Sequence, residues 1–241
     1  MTLMNPGPVN VTDRVRDAQL RGDLCHREPE FSDLMLLIRK NLLQAFDIEK
    51  EYSAILITGS GTAALEMAVS SCLNPDRSIL VIQNGVYGER IGKMADVYQM
   101  SKHTISYNWG EMPRLEAVEQ VLQEHTSIEV IAMVHHETTT GLLNPLPEIA
   151  LLAKRYDKRL LVDCISSLGG DKINFGQYPI DFAVGTANKC LHGLPGVSFV
   201  LHRKKDLSRI KNLPARSIYF NLAEHLKAQE QGDTLFTPAI Q

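Results

Sequence analysis

The chain has 241 residues, a length that suits one large α/β domain or two small ones. Its 25 lysines and arginines and 28 aspartates and glutamates give a net charge of −3, which argues against nucleic acid or an anionic membrane as a partner. Hydrophobic residues make up 44% of the chain and charged residues 22%, which excludes a disordered, collagen-like or low-complexity protein. Small molecules are the expected ligands.

The cysteines and the opening residues indicate a cellular location. The four cysteines, far apart and without a C-x-x-C pair, are Cys25, Cys72, Cys164 and Cys190. This spacing argues against a zinc ribbon or a dense disulfide framework and favours a reducing cytosol. Residues 1–16 lack the apolar core of a signal peptide, and glycines and Glu66 interrupt the weakly charged stretch 54–73. We therefore expect a cytoplasmic protein without a metal site or a membrane-spanning segment.

Amphipathic segments and short apolar runs alternate along the sequence. The spacing of apolar residues predicts helices at Glu30–Phe46, Thr62–Cys72, Pro113–His125 and Leu146–Tyr156, with Pro113 in a first helical turn. The apolar runs predict strands at Ala54–Thr58, Ser78–Gln83, His103–Tyr107, Val130–Val134, Arg159–Asp163, Asp181–Val184 and Val197–His202. This alternation predicts an α/β fold, with a mostly parallel seven-stranded sheet sandwiched by helices.

A strand is followed by a turn of small residues at 57–66 (ITGSGTAALE). Glycine lets the backbone approach an anion, and the hydroxyls of Ser60 and Thr62, together with the N–H groups at a helix start, can donate to phosphate. The segment lacks the lysine of a P-loop, and Gln83 and Asn84 stand where a dinucleotide-binding fingerprint requires an acidic residue. A phosphate-binding turn is predicted, and a tight turn without a ligand is the alternative.

An aromatic residue between two glycines follows the second strand, at 84–90 (NGVYGER). In an open α/β sheet this position borders the ligand crevice, and small neighbours leave the face of the Tyr87 ring open to stack on a planar heterocycle. A half-buried turn tyrosine without a ligand is the alternative.

Two charged residues stand at later strand ends. Asp163 ends the buried run 159–163, where a carboxylate needs a cationic or hydrogen-bonding partner such as a protonated pyridine nitrogen. Lys189 lies between a strand end and the glycine-containing loop 190–196, where a lysine near other cationic or apolar groups can act as a nucleophile and form a Schiff base. The alternatives are an aspartate that caps a loop and a solvated loop lysine.

A phosphate-binding turn, a stacking ring, a partner for a pyridine nitrogen and an imine-forming lysine together match the needs of pyridoxal 5′-phosphate. From residues 5–8 (NPGP) to 236–238 (FTP), the chain resembles the class-V branch of the fold-type I aminotransferases that use this cofactor. Segments 136–141 (HETTTG), 162–167 (VDCISS) and 187–190 (ANKC) look most like the 2-aminoethylphosphonate:pyruvate transaminase family. The resemblance implies transfer of an amino group from an amine to a 2-oxo acid, with phosphonoacetaldehyde and alanine as products.

The resemblance assigns roles to the matching residues. Lys189 is expected to form the Schiff base and Asp163 to hold the pyridine nitrogen, which makes them the catalytic pair. The other implied cofactor-binding residues are Ser60, Gly61 and Thr62 at the phosphate, Tyr87 on the ring face, Ile165 beneath the ring, Thr138 near the phenolic oxygen, and Thr237 at the phosphate of a neighbouring subunit's cofactor. That last contact implies a homodimer with shared active sites.

The resemblance also implies an N-terminal segment, 1–22, followed by a cofactor-binding large domain, 23–241, with the family's small C-terminal domain and its substrate-binding arginine absent. Within the chain, His26, Arg27 and Arg90 are candidates to bind the substrate's acid group. Segment 24–31 (LCHREPEF) is closer to the serine– and alanine–glyoxylate transaminases, so that substrate class stays open. A noncatalytic dimeric binding module is a further alternative. A nicotinamide oxidoreductase is disfavoured, because no acidic residue follows the second strand.

Overall fold

The computed structural model describes residues 2–240, so residues 1 and 241, the outer ends of the two predicted segments, lie outside the described residues. Its strands in chain order are β1 (Tyr52–Thr58), β2 (Ser78–Gln83), β3 (Ser101–Ser106), β4 (Ile128–Val134), β5 (His136–Glu137), β6 (Leu142–Leu143), β7 (Arg159–Asp163), β8 (Phe182–Thr186) and β9 (Val197–Arg203). The short strands β5 and β6 pair with each other, and the other seven form one sheet.

The sheet has the order β1-β9-β8-β7-β4-β2-β3. Strands β3, β2, β4, β7 and β8 pair in parallel, whereas β9 is antiparallel to both of its neighbours, β8 and β1. All the strands except β9 therefore run in one direction, and their carboxyl ends meet at one edge of the sheet. The predicted mostly parallel seven-stranded sheet is confirmed.

Helices connect most of the strands. They are α1 (Asp13–Asp17), α2 (Pro29–Ala45), α3 (Gly61–Ser70), α4 (Val86–Val97), α5 (Leu115–Glu124), α6 (Leu146–Arg155), α7 (Leu207–Lys211) and α8 (Leu222–Glu230), with 3₁₀ turns at Ala18–Leu20 and Lys204–Asp206. The four predicted helices are α2, α3, α5 and α6, with ends that differ by at most two residues. Helices α1, α4, α7 and α8 and the β5–β6 hairpin were not predicted.

Pro113 does not lie in the first turn of α5, so that prediction is wrong. The helix begins at Leu115, because Arg114 is extended, with a ψ of 124°, and its N–H donates to the hydroxyl oxygen of Tyr107 at 3.1 Å. This hydrogen bond holds Arg114, the residue after Pro113, in an extended conformation.

Helix α4 was not predicted, because its glycines are more typical of a turn than of a helix. In the structure Gly88 lies inside the helix, where a Cβ atom would come within 3.0 Å of the Cα atom of Gln83 on β2. Glycine therefore allows α4 to pack closely against the neighbouring strand, at a cost in intrinsic helix propensity.

The core lies on both faces of the sheet. Every residue of β4 and β8 is buried. Apolar side chains of α3, α4, α7 and α8 pack on one face, and those of α5 and α6, with part of α2, pack on the other. None of the described helices is long and apolar enough to cross a membrane. This layering fixes the backbone at the carboxyl ends of the central strands, where the candidate site lies.

Candidate active site

A cleft at the carboxyl edge of the sheet gathers most of the predicted site residues. It encloses about 580 Å³ of empty space, including its opening to solvent. Its lining residues are Gly7, Ser60, Gly61, Thr62, Tyr87, Arg90, Val134, His136, Thr138, Asp163, Ile165, Ser166, Thr186, Asn188 and Lys189. Four strands, β1, β4, β7 and β8, deliver residues to it directly or through the loops that follow them.

The small-residue turn between β1 and α3 forms one wall of the cleft. Ser60 is the N-cap residue of α3, yet its hydroxyl makes no capping hydrogen bond within the described chain. Gly61 faces Ile165, and a Cβ atom at Gly61 would lie 2.7 Å from the Ile165 Cδ1 atom. The turn thus combines a helix N-terminus, a hydroxyl free of capping and a backbone that is open to close approach, which suits an anionic group.

Tyr87 and Arg90 project from the first turns of α4. The Arg90 guanidinium lies over the Tyr87 ring, 4.6 Å from its centroid, and Nη1 donates to the Thr62 hydroxyl at 3.0 Å. Arg90 therefore brings a positive charge to the small-residue turn and contacts Tyr87 by a cation–π interaction. The sequence offered Arg90 as a substrate-binding candidate, and the structure adds its contact with the turn.

Glu137, which was not singled out from the sequence, holds the start of α4. Its side chain is fully buried and accepts hydrogen bonds from the N–H groups of Tyr87 (3.4 Å), Gly88 (3.1 Å) and Thr139 (3.3 Å). A Cβ atom at Gly85 would lie 2.4 Å from the Glu137 side chain, so only glycine fits there. A carboxylate at a helix N-terminus is stabilised by the exposed N–H groups, and here it fixes the position of Tyr87.

Asp163 stands at the end of β7 with 3% of its surface exposed. Burial raises the pKa of its carboxyl from the ordinary 3.8 to about 6, although the hydrogen bond from Ile165 N–H to Oδ1, at 2.9 Å, acts in the opposite direction. Asp163 forms no ion pair with any residue in the described part of the chain. A carboxylate of this kind is ready to accept a cation or an N–H donor from a ligand.

Lys189 lies in the loop after β8 and reaches back to the N-terminal segment. Its Nζ donates to the carbonyl oxygen of Gly7 at 3.4 Å. A Cβ atom at Gly7 would lie 2.4 Å from the Cδ atom of Lys189, and the Gly7 φ of +137° is a conformation that side-chain-bearing residues rarely adopt. Glycine at this position therefore allows the residue 5–8 segment to pack directly on the lysine.

Ser166 is a second residue that was not singled out. Its hydroxyl lies 2.9 Å from each of three atoms: the His136 Nδ1, the Thr138 Oγ1 and the carbonyl oxygen of His136. The contact orients Thr138 within the cleft, where the sequence places it. A serine three residues after a strand-end aspartate is too common to stand out in a sequence.

Three predicted residues do not line the cleft. Arg27 instead forms an ion pair with Asp233 and donates to the Thr234 carbonyl at 2.9 Å. His26, the residue before Arg27, is absent from the lining too. Thr237 lies in a separate apolar groove between α2 and the segment 234–240. The predicted contact of Thr237 is with the cofactor of a neighbouring subunit, so it stays a prediction.

The end of β2 is occupied by an amide rather than an acid. Asn84 is buried, and its Nδ2 donates to Asn144 Oδ1 at 2.7 Å and to the Glu111 carbonyl at 3.0 Å. These bonds tie β2 to neighbouring loops. Asn84 therefore has a structural role at the position where a dinucleotide-binding protein needs a carboxylate for the ribose.

The sequence profile of the family described as Aminotransferase class-V matches residues 16–224. The chain belongs to this family. Its relatives include proteins named 2-aminoethylphosphonate–pyruvate transaminase from Klebsiella pneumoniae subsp. pneumoniae, 38% identical over 231 residues, and from Vibrio cholerae serotype O1, 35% identical over 230 residues. Each match covers 95% of this chain and 62% of the relative, so the chain spans less than two thirds of the length of these curated proteins.

The fold of this class-V chain also recurs in solved structures. The pyridoxamine–pyruvate aminotransferase of Mesorhizobium loti superposes with a TM-score of 0.90 at 26% identity, covering 100% of this chain and 62% of that one. This similarity places the described elements in the fold-type I arrangement that was expected from the sequence.

Pyridoxal 5′-phosphate is the cofactor of this class, and the residues of the cleft fit it. The turn before α3 offers neutral donors and a close backbone approach to a phosphate, with the Arg90 charge beside it. The buried Asp163 carboxylate has no cationic partner in the described chain, which suits a protonated pyridine nitrogen. Lys189 supplies a primary amine in the same cleft. The fit rests on the chemistry of these groups and on their convergence.

Proposed function

We propose that this protein is an aminotransferase that moves the amino group of 2-aminoethylphosphonate to pyruvate, giving phosphonoacetaldehyde and alanine. The observation that carries the proposal is the convergence of Lys189 and Asp163, 26 positions apart in the sequence, on one cleft beside a phosphate-binding turn. The choice of substrates is supported by the names of relatives that are 35–38% identical over nearly the whole chain.

Lys189 and Asp163 carry the chemistry in this proposal. The cofactor, when bound, supplies a ring that accepts the electron pair of the substrate carbon. Lys189 Nζ would hold the cofactor and, as a free amine, would act as the base that removes a proton from the substrate carbon and as the acid that returns it. Asp163 keeps the pyridine nitrogen protonated: at about 4 Å and an effective dielectric near 20 the pair gains roughly 4 kcal/mol.

The other residues orient the cofactor and exclude water. Tyr87 would stack on the ring face, Ile165 would pack beneath it, and Thr138 would bind the phenolic oxygen. The phosphate is bound by Ser60, Gly61 and Thr62. In a cytoplasmic homodimer, Thr237 reaches the phosphate of the second subunit's cofactor, so that the two active sites are shared.

Absorption and labelling test the cofactor assignment. The purified protein incubated with pyridoxal 5′-phosphate should show the visible band of a lysine-bound cofactor. Borohydride reduction followed by peptide mapping should then place the pyridoxyl mass on the peptide that contains Lys189. A colourless protein would favour the noncatalytic binding module, and a label on a different lysine would refute the role of Lys189.

Paired substrate assays test the reaction. We expect turnover with 2-aminoethylphosphonate and pyruvate to exceed turnover with serine or alanine and glyoxylate. The opposite result would favour the serine– or alanine–glyoxylate class, for which the segment 24–31 is the sequence argument. The Arg27–Asp233 ion pair already occupies the one arginine of that segment.

A further inference from the structure

The Ser166 hydroxyl is the meeting point of three polar atoms in the cleft. His136 Nδ1, Thr138 Oγ1 and the His136 carbonyl oxygen all lie 2.9 Å from it. All three residues line the cleft, and His136 belongs to the motif 136–141 without a role in the function proposed above. The three contacts define where the hydrogen atoms lie.

A serine hydroxyl has one hydrogen to donate and two lone pairs that accept. A carbonyl oxygen can only accept, so the Ser166 hydrogen points to the His136 carbonyl. Both lone pairs must then receive hydrogens, one from the Thr138 hydroxyl and one from Nδ1 of the His136 ring. A neutral His136 imidazole with its hydrogen on Nδ1 presents a bare lone pair at Nε2.

The Nε2 atom of His136 is free to receive a donor from a ligand. No residue between 2 and 240 makes a hydrogen bond to it. Of the other acceptors in the cleft, Gly7 O receives a lysine ammonium and Asn188 Oδ1 a threonine hydroxyl, and the Asp163 carboxylate serves the ring nitrogen in the proposed function. An ammonium group carries only donors, and the cations of Arg90 and Lys189 would repel it. A protonated amine that enters the cleft therefore needs an acceptor such as this one.

We infer that His136 Nε2 accepts a hydrogen bond from the nitrogen of the amine substrate, and that Ser166 is the positioning residue that keeps the ring hydrogen on Nδ1. The inference rests on the proposed function, because it is the amine donor of that reaction that must enter the cleft. It assigns His136 to substrate selection, in favour of primary amines over ligands that lack a nitrogen donor.

The hydrogen position can be measured without any turnover. In protein labelled with ¹⁵N-histidine, NMR should show His136 with a protonated Nδ1 and a bare Nε2. Ser166→Ala should move hydrogen to Nε2, and Ser166→Thr, which keeps the hydroxyl, should restore the wild-type pattern. Ser167→Ala is the matched control, because the Ser167 hydroxyl lies 3.0 Å from Nδ1 of His135, so only the His135 signals should change. An unchanged His136 in folded Ser166→Ala would overturn the role of Ser166.

A titration tests the substrate contact. Adding 2-aminoethylphosphonate to the cofactor-loaded protein should shift the Nε2 resonance of His136, and ethylphosphonate, which lacks the amine, should not. His136→Asn retains a donor near the Nδ1 position but removes Nε2, so the KM for the amine should rise about tenfold, the loss expected for one hydrogen bond to a charged group. His136→Gln, whose longer amide reaches the Nε2 position, should recover part of that loss.

The outcomes separate this inference from the proposed function. Turnover of 2-aminoethylphosphonate without any response of the Nε2 signal would overturn the contact and leave the aminotransferase proposal intact. A response of Nε2 to the amine in a protein that turns over neither substrate pair would support the contact and refute the proposed reaction.

Discussion

Replacing Asp163 by asparagine should make the cofactor-free protein more stable while it removes most of the activity. The carboxylate is 3% exposed and has no cationic partner in the described chain. Burial raises its pKa from 3.8 to about 6, which corresponds to roughly 3 kcal/mol of unfavourable free energy for the ionised form in the folded state. A neutral amide avoids that cost and still accepts the hydrogen bond from Ile165 N–H.

The sign of the pH dependence follows from the raised pKa. Between about pH 4 and pH 6 the folded state binds more protons at Asp163 than the unfolded state, so the free energy of unfolding falls as pH rises through this window. The destabilisation by ionised Asp163 is complete above its pKa in the folded state, and it is absent below its pKa in the unfolded state. Allowing for the desolvation of the new amide, we expect Asp163→Asn to gain about 2 kcal/mol near neutral pH and to be no more stable than wild type near pH 4.

Thermal unfolding without cofactor measures the gain, which for a chain of this size corresponds to a Tm about 4–8 °C higher. Asp206→Asn is the matched control. Asp206 is 6% exposed, and although burial raises its pKa, the hydrogen bonds and charges of Arg209 and Arg159 bring the pKa below its ordinary value. That variant should lose about 1–3 kcal/mol, because it weakens charged hydrogen bonds from Arg159 and Arg209, which keep Glu129 as an anionic partner. An Asp163→Asn protein no more stable than wild type at neutral pH would refute the reasoning.

In the enzyme loaded with pyridoxal 5′-phosphate, Asp163→Asn should lower the activity. The neutral amide cannot hold the pyridine nitrogen protonated, and losing an interaction of roughly 4 kcal/mol lowers kcat by about a thousandfold. Near-wild-type turnover by Asp163→Asn with bound pyridoxal 5′-phosphate would contradict the role of Asp163 in the proposed reaction.

Three further substitutions address the walls of the cleft. Gly61→Ala places a methyl group 2.7 Å from an isoleucine carbon, so it should lower the free energy of unfolding in urea by about 1–3 kcal/mol and weaken pyridoxal 5′-phosphate binding. Gly22→Ala, with no atom within 4 Å of the new carbon, should change neither quantity. Glu137→Gln replaces a buried acceptor of three N–H groups and should cost about 1–3 kcal/mol; an unchanged urea midpoint would contradict its capping role. Arg90→Gln should weaken cofactor binding at least about tenfold in a spectral titration, whereas Arg114→Gln, a surface cation over another tyrosine ring, should leave it unchanged.

The sequence predicted those residues of the cleft whose signals are local. A buried strand that ends in an acid identified Asp163, and a strand followed by small residues identified the turn at Ser60 to Thr62. Both features recur in the structure at the carboxyl edge of the sheet. The direction of the strands then brings residues that are distant in sequence to one edge, which is why Tyr87, Thr138 and Lys189 share the cleft.

The residues that sequence reasoning missed depend on contacts between distant segments. Glu137 bonds to a backbone group 49 positions away, and no local pattern specifies that pairing. Arg27 was offered as a substrate ligand, but its partner Asp233 lies 206 positions further along the chain. Helix α4 was missed because its glycines have a low helix propensity, and packing against β2 outweighs that propensity.

Three buried carboxylates of this fold, Asp163, Asp206 and Glu137, differ in their partners. Asp206 bonds to two arginines, and Glu137 accepts N–H groups at the start of a helix, so both are stabilised by the chain itself. Asp163 receives one backbone N–H and forms no ion pair within residues 2–240, and burial raises its pKa although Arg90 and Lys189 act in the opposite direction. The free energy that this arrangement costs in the empty protein is recovered when a cationic ring nitrogen binds, so a ligand that supplies one stabilises the folded state by mass action. Because Glu137 adds negative charge to the surroundings of Asp163, the residue that fixes Tyr87 also favours a cation beside Asp163.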